Sequence, residues 1–335
     1  MTEREIAALL SGADDAALFA EADRVRRRVF GREVYLRGVV EFANGCARHC
    51  LYCGLRAENA ALPRYRLPEA DILAAAGLAR QSGMGTVVLQ SGDDPSIPRE
   101  FVGGLVREIK QRLGLAVTLS LGDRSREDFR HWRECGADRY LLKIETANPA
   151  LHARLRPGER PENRLARLDE LKKLGFEVGS GIIVGLPGAD QAVLARDILA
   201  LTRLDLEMLA AGPFVPHPAT PLGGEPAGGV ALSLRATAVL RLLNPRSNIP
   251  ATSALDALDP AGRKRALGAG CNVVMPSLTP QAVRRDYAIY PGKNAAEVAE
   301  GIARLFAAIG DLDLDPSDSP GFSPRGREQR REHVR

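Results

Sequence analysis

Short runs rich in aliphatic and β-branched residues alternate along the chain with stretches whose apolar positions recur every three to four residues. The extended runs fall at 35–42, 86–90, 116–121, 139–145, 178–184, 207–211, 249–253 and 272–275. Helical periodicity occupies 69–81, 99–112, 126–134, 161–174, 191–203 and 232–243, and again 295–309 after the eighth run. Eight such alternations predict an α/β chain folded as a (β/α)8 barrel of the TIM type, with parallel strands inside and helices outside. Ahead of the first strand a helix is predicted over 16–30, capped by Asp14 or Asp15 and stopped by Gly31. The expected organisation is a helical extension over 1–34, the barrel over 35–312, and a disordered basic tail over 313–335. In that tail Asp, Ser, Pro and Gly give way to arginine.

Composition fits this picture. The chain has 335 residues, of which 45% are hydrophobic and 26% charged. Its mean hydropathy is −0.15, which suits a globular domain with a large core and excludes disordered and collagen-like chains. No uninterrupted apolar run reaches the roughly 18 residues of a membrane-spanning helix. The N-terminus is acidic and lacks the basic-then-apolar order of a signal peptide, so a cytoplasmic location is expected. The formal charge of +4 comes from 46 basic and 42 acidic residues, with much of the excess in the last dozen. That end reads as a solvated terminus, and no nucleic-acid or membrane partner is expected.

Three of the five cysteines, Cys46, Cys50 and Cys53, fall within eight residues just after the first predicted strand. An odd count in a cytosolic setting argues against a disulfide framework. Thiolates at this density suit a soft metal centre. Structural zinc takes four ligands, and His49 is the local candidate for a fourth, awkwardly placed between two others. An iron–sulfur cluster held by three cysteines leaves one iron open to another ligand. Cys135 and Cys271 stand alone and read as buried apolar residues.

Active sites of such barrels lie at the carboxyl ends of the strands. The fourth predicted strand puts Tyr140, Leu142 and Ile144 on one face and Arg139, Leu141, Lys143 and Glu145 on the other. If the apolar row meets the helices, three charged side chains point into the lumen. They then form an internal ion-pair network or bind a ligand. Thr118 on the third strand, and Thr252 with Ser253 on the seventh, add hydroxyls. Cations and hydroxyls together suit a small carboxylate-bearing substrate. Tyr287 and Tyr290 follow the eighth strand and either close the mouth or simply pack. His217, between two prolines, reads as part of a rigid surface loop.

The C-x3-C-x2-C loop, with Tyr52 just before its last cysteine, resembles the radical S-adenosylmethionine (SAM) superfamily. The resemblance implies that Cys46, Cys50 and Cys53 hold a [4Fe–4S] cluster whose open iron binds SAM, with an electron donor as partner. It places Tyr52 and Ile183, the latter in a Gly-x-Ile-x-Gly segment, near the adenine. Ser91, Gly92 and Asp93 would receive the SAM amino group, Arg164 its carboxylate, and Glu145 would anchor it further.

Segments such as Cys50–Arg56, Pro213–Pro218 and Tyr290–Lys293 resemble, more narrowly, the HydE-type maturases of [FeFe]-hydrogenase. Methylornithine synthase and biotin synthase are relatives of that branch. This implies a cavity lined by Gln90, Thr118, Arg139, Lys143, Thr252, Ser253, Tyr287 and Tyr290. It would hold a small cysteine-derived, iron-bound substrate, with other maturation proteins as partners. HydE-type sequences carry Arg-His where this chain has Lys143-Ile144, which keeps the charge but loses the planar guanidinium fork. Two other readings are a similar enzyme acting on another small amino acid or thiol, and a non-catalytic metal-binding scaffold.

Overall fold

All eight predicted extended runs are strands in the computed structural model, which describes residues 1–333, with side chains through 328. They are β1 (Glu33–Glu41), β2 (Thr86–Gln90), β3 (Ala116–Ser120), β4 (Arg139–Leu141), β5 (Glu177–Val184), β6 (Met208–Pro213), β7 (Pro250–Ala251) and β8 (Val273–Val274). The sheet order is β6-β5-β4-β3-β2-β1-β8-β7, and every pairing is parallel. A single bridge, Met208 to Asn248, brings the two ends together. The predicted (β/α)8 barrel is therefore present and nearly closed.

Two helices precede the barrel, α1 (Glu3–Ser11) and α2 (Asp15–Phe30). The first was not predicted, although Thr2 and Glu5 form a reciprocal capping box at its start. The helices around the barrel are α3 (Glu69–Gln81), α4 (Arg99–Glu108), α5 (Arg126–Glu134), α6 (Pro149–Leu155), α7 (Pro161–Lys173), α8 (Gln191–Arg203) and α9 (Val230–Leu243). Short turns α10 (Ser253–Leu258), α11 (Gly262–Gly268) and α12 (Gln281–Arg284) crowd the last strands. Then come α13 (Val298–Gly310) and α14 (Pro324–His333). Among the described residues no helix is long and apolar enough to cross a membrane.

The parity of β4 holds. Tyr140, Leu142 and Ile144 are buried in the layer between strands and helices. Tyr140 packs edge-on against Phe129 with ring centroids 4.9 Å apart. Such aromatic pairs add to the burial of their apolar area.

The predicted disorder from residue 313 is corrected over 313–323. β9 (Asp315–Ser317) pairs in parallel with β1, and the chain then crosses under the barrel. Pro320 O accepts from Arg139 Nη2 at 2.6 Å, and Gly321 O accepts from Arg37 Nη2 at 3.2 Å and Asn248 Nδ2 at 2.9 Å. Phe322 lies beneath the Arg139 guanidinium, 4.4 Å from carbon to ring centroid. The Asp-Ser-Pro composition that suggests disorder is instead a strap whose carbonyls cap two buried arginines. Of the predicted tail, residues 334–335 lie outside the described residues.

Arg139 is corrected with it. It is fully buried at this floor, donating to Glu177 Oε2 at 2.6 Å and Thr86 Oγ1 at 3.2 Å, and it does not line the cavity above. Removing one member of a buried ion pair leaves the other uncompensated, at a cost of about 3–5 kcal/mol. Arg139→Met is therefore expected to lower unfolding free energy in urea by that order. A loss below about 1 kcal/mol would refute the structural role.

Candidate active site

A cavity of about 370 Å³ opens at the carboxyl ends of the strands and runs down the lumen. Tyr52, Cys53, Ser91, Asp93, Glu145, Arg164 and Ile183 line its upper part. Gln90, Thr118, Lys143, Thr252, Ser253 and Tyr290 also line it. Most predicted site residues thus share one space. Gly92 lies beside it: a Cβ there would come within 2.1 Å of Gly45 O, so only glycine allows the loop after β2 to press against the cysteine loop. Ala47 N donates to Asp93 O at 2.8 Å across that contact.

The cysteine loop leaves β1 without regular structure. Cys50 is buried, while Cys46 and Cys53 are half-buried, and all three thiols are free. Burial pushes the Cys50 and Cys53 thiols up, and each also feels its neighbouring thiols. Three thiolates side by side are stable only against a cationic group, so this donor set fits a metal cluster. Among the described residues no three His, Cys, Asp or Glu side chains converge as ligands of one metal ion. Cluster thiolates bind different irons and stand farther apart than ligands of one ion. His49, the candidate fourth ligand, is exposed and turned onto Glu58, with Nδ1 2.6 Å from Oε1. Cys135 accepts from Arg107 on the outer layer and Cys271 is buried in the core, so neither joins the loop.

Glu145 lies four residues beyond β4 and adopts φ +65°, a left-handed backbone that costs a residue with a side chain of order 1–3 kcal/mol. It stays in the sheet: its N–H donates to Gly181 O at 3.0 Å and its carbonyl accepts from Ile183 N at 2.9 Å. The turn beyond is held by Asp197 Oδ1, which accepts from Ala147 N at 2.7 Å and Thr146 Oγ1 at 3.1 Å. Lys143 Nζ lies 2.8 Å from Glu145 Oε2. Arg164 is 5% exposed and its Nε has no partner; its nearest carboxylate is Glu159, 3.9 Å away. The Thr118 and Thr252 hydroxyls are also buried without partners. An open guanidinium at the upper part of the cavity, and open hydroxyls on β3 and just after β7 on opposite sides of the lumen, are groups that can take up a ligand's polar atoms.

Two predicted residues behave differently. The Asp93 carboxylate accepts from Arg48 Nε at 2.6 Å and from Asp123 N at 3.1 Å, so it is already engaged. Tyr287 does not line the cavity; it is buried and donates to Ser91 O at 3.1 Å, bracing the loop after β2. Tyr290 does reach the cavity, with its hydroxyl 2.7 Å from Ser253 Oγ.

Sequence reasoning missed Arg37, Met208, Met275 and Lys293, which also line the space. Arg37 was within reach of the parity rule used for β4, since it is a charge amid an apolar strand. Lys293 was not, because its place depends on Glu41, fully buried at the end of β1 and 2.7 Å away.

Burial pushes Asp197 up from 3.8 to about 6. A carboxyl whose folded pKa is raised binds more protons when folded between those values, so its burial costs stability as pH rises from about 4 to about 6. Asp197→Asn keeps an acceptor for Ala147 and Thr146 and is expected to flatten that decline. Urea denaturation at pH 4, 5 and 6 measures it, and an unchanged slope would refute the assignment.

The sequence matches the Radical SAM superfamily over residues 40–195. It is 50% identical to the [FeFe] hydrogenase maturase subunit HydE of Thermotoga maritima over 277 residues, covering 83% of this chain and 79% of that protein. It is 30% identical to 3-methylornithine synthase of Methanosarcina barkeri, covering 87% and 83% of the two chains. The crystal structure of methylornithine synthase (PylB) superposes with a TM-score of 0.83 at 27% identity, over 94% of each chain. The three-cysteine loop, the barrel around it and an identity of one residue in two across most of both chains lead to one conclusion: this chain belongs to the radical SAM superfamily, in the branch that contains HydE.

Proposed function

We propose that this radical SAM enzyme works in [FeFe]-hydrogenase maturation, acting in the cytoplasm on a small cysteine-derived, iron-bound substrate. The observation that carries the reading is the continuous cavity from Cys53 and Tyr52 down to partnerless hydroxyls at Thr118 and Thr252. The identity to a HydE maturase subunit supports the maturation role.

Cys46, Cys50 and Cys53 would hold the [4Fe–4S] cluster, and Arg164, Ser91, Gly92, Asp93 and Glu145 would hold SAM, with Tyr52 and Ile183 along its adenine. Together these cofactors supply an electron and a 5′-deoxyadenosyl radical. The open face of Arg164 suits the SAM carboxylate as a charge-assisted, directional partner. Because Arg48 and Asp123 take the Asp93 carboxylate, its part is to fix the loop, while Ser91 and the backbone beside Gly92 meet the amino group. Lys143, bound to Glu145, keeps a cation between the SAM end and the substrate end. Thr118 and Thr252 donate to the substrate's carboxylate, and Ser253, oriented by Tyr290, stands beside them with Gln90. The enclosed lumen excludes water from the reacting atoms. An electron donor and other maturation proteins complete the reading.

A second reading, action on another small amino acid as in methylornithine synthase, is favoured by the superposition on that enzyme and by Lys143.

Anaerobic reconstitution with iron and sulfide, followed by reduction and SAM, tests the first reading. Wild type is expected to give a cluster EPR signal that SAM perturbs, and to release 5′-deoxyadenosine; Cys50→Ala is expected to do neither. Zinc in place of a cluster, or a cluster indifferent to SAM, would overturn it. With cysteine–iron complexes as substrate, Thr252→Val is expected to raise KM about ten- to a hundredfold, the worth of a hydrogen bond to a charged group. Substrate-independent SAM cleavage is expected to stay at the wild-type rate.

A further inference from the structure

Arg156 follows the last residue of α6, and nothing in the chemistry above uses it. The residue is 6% exposed. Its Nη1 donates to Cys50 Sγ at 3.2 Å and to Tyr52 Oη at 2.9 Å. The contact is fixed from both sides, because Leu51 N donates to Leu155 O at 2.9 Å and so ties the cysteine loop to the end of α6. Arg156 Nε has no partner. The nearest carboxylate, Glu159, stands 3.9 Å from Nη2 and is itself engaged by Arg48. Burial alone would lower the Arg156 pKa, but Tyr52, Cys50 and Glu145 around it hold it above its ordinary value. His152, one turn earlier, is buried with both ring nitrogens partnerless, and burial and the two nearby arginines lower its pKa.

A buried cation with no hydrogen-bonded carboxylate is costly unless negative charge sits against it. Here the adjoining group is a sulfur of the cysteine loop. We propose that Arg156 tunes the iron–sulfur cluster, its buried guanidinium and its N–H···S bond to Cys50 raising the cluster's reduction potential. Reduction adds one electron to an anionic assembly, and a fixed positive charge with a donor to the sulfur favours the more negative state. Arg156 is then a positioning and tuning residue that eases electron uptake from the donor, without touching SAM or substrate.

The inference rests on the radical SAM reading. The experiment is an EPR-monitored redox titration of the anaerobically reconstituted full chain, without SAM, for wild type, Arg156→Lys, Arg156→Met and Arg156→Gln. In Arg156→Met the oxidised form is expected to gain at least about tenfold over the reduced form at a given potential. That is a midpoint more negative by about 59 mV for one electron. Arg156→Lys keeps the charge and is expected to stay near wild type. A methionine variant with full iron content that titrates with wild type overturns the proposal. If that variant holds no iron, the glutamine variant is compared with lysine, and coincident midpoints overturn it. Retention of the cluster by lysine alone would make Arg156 a residue of cluster assembly and equally overturn tuning. A wild-type protein lacking a SAM-perturbed cluster signal would instead break the radical SAM reading, so the two failures are distinguishable.

Discussion

Charge buried inside a parallel barrel must be answered by a partner, and the way this requirement is met changes with depth. At the floor it is met almost throughout, with Arg37 Nε left without a partner. Arg139 has Glu177, Thr86 and a strap carbonyl, and Arg37 has the next strap carbonyl, although burial and the facing Arg139 still pull it down to about 9. On the wall, Glu41 is satisfied by Lys293 and the hydroxyls of Ser277 and Thr279. Higher up it is met only in part: Arg164 Nε and the Thr118 and Thr252 hydroxyls have no partner. These three groups face the cavity, so the barrel's internal electrostatics are incomplete along it, as they also are at His152 and Arg156 at the end of α6.

This gradient explains what could be read from sequence. Period-two alternation shows which face a residue occupies, and it correctly turned Lys143 and Glu145 inward and Tyr140, Leu142 and Ile144 outward. It carries no information on depth. Arg139 shares their parity but lies four and six residues earlier than Lys143 and Glu145, roughly 13 Å or more along an extended strand, which places it at the floor. Beside Glu177 and Thr86, it is held by a segment nearly two hundred residues away whose composition reads as disorder. Contacts of that separation leave no local signature. The three cysteines were legible because their spacing is local, and α2 to α5, α7 to α9 and α13 because their apolar stripes are; the seven-residue α6 was not predicted. α1 was missed although its capping box lies within four residues, so the signal was present there.

The segment after β8 shows how the separate parts of the site acquire a common geometry. Asn44 Nδ2 donates to Asp286 O at 2.8 Å, and Gly54 N donates to Ile289 O at 3.1 Å, so both ends of the cysteine loop rest on it. Tyr287 holds the loop after β2, Tyr290 orients Ser253, and Lys293 locks onto β1 through Glu41. One stretch of eight residues therefore bonds to the cysteine loop, the loop after β2 and the Ser253 hydroxyl. Tyr287, which the sequence leaves between closing the mouth and packing, is buried and acts through the Ser91 carbonyl. A radical made at one end of the cavity must meet its target at a set distance, and a tolerance of well under 1 Å is what such chemistry demands. Loops anchored only on their own strands would vary independently; anchored on a shared segment, they move together. The polar contacts made by residues 286–293 thus set the cysteine loop, the loop after β2 and Ser253 relative to one another, even where those residues do not line the cavity.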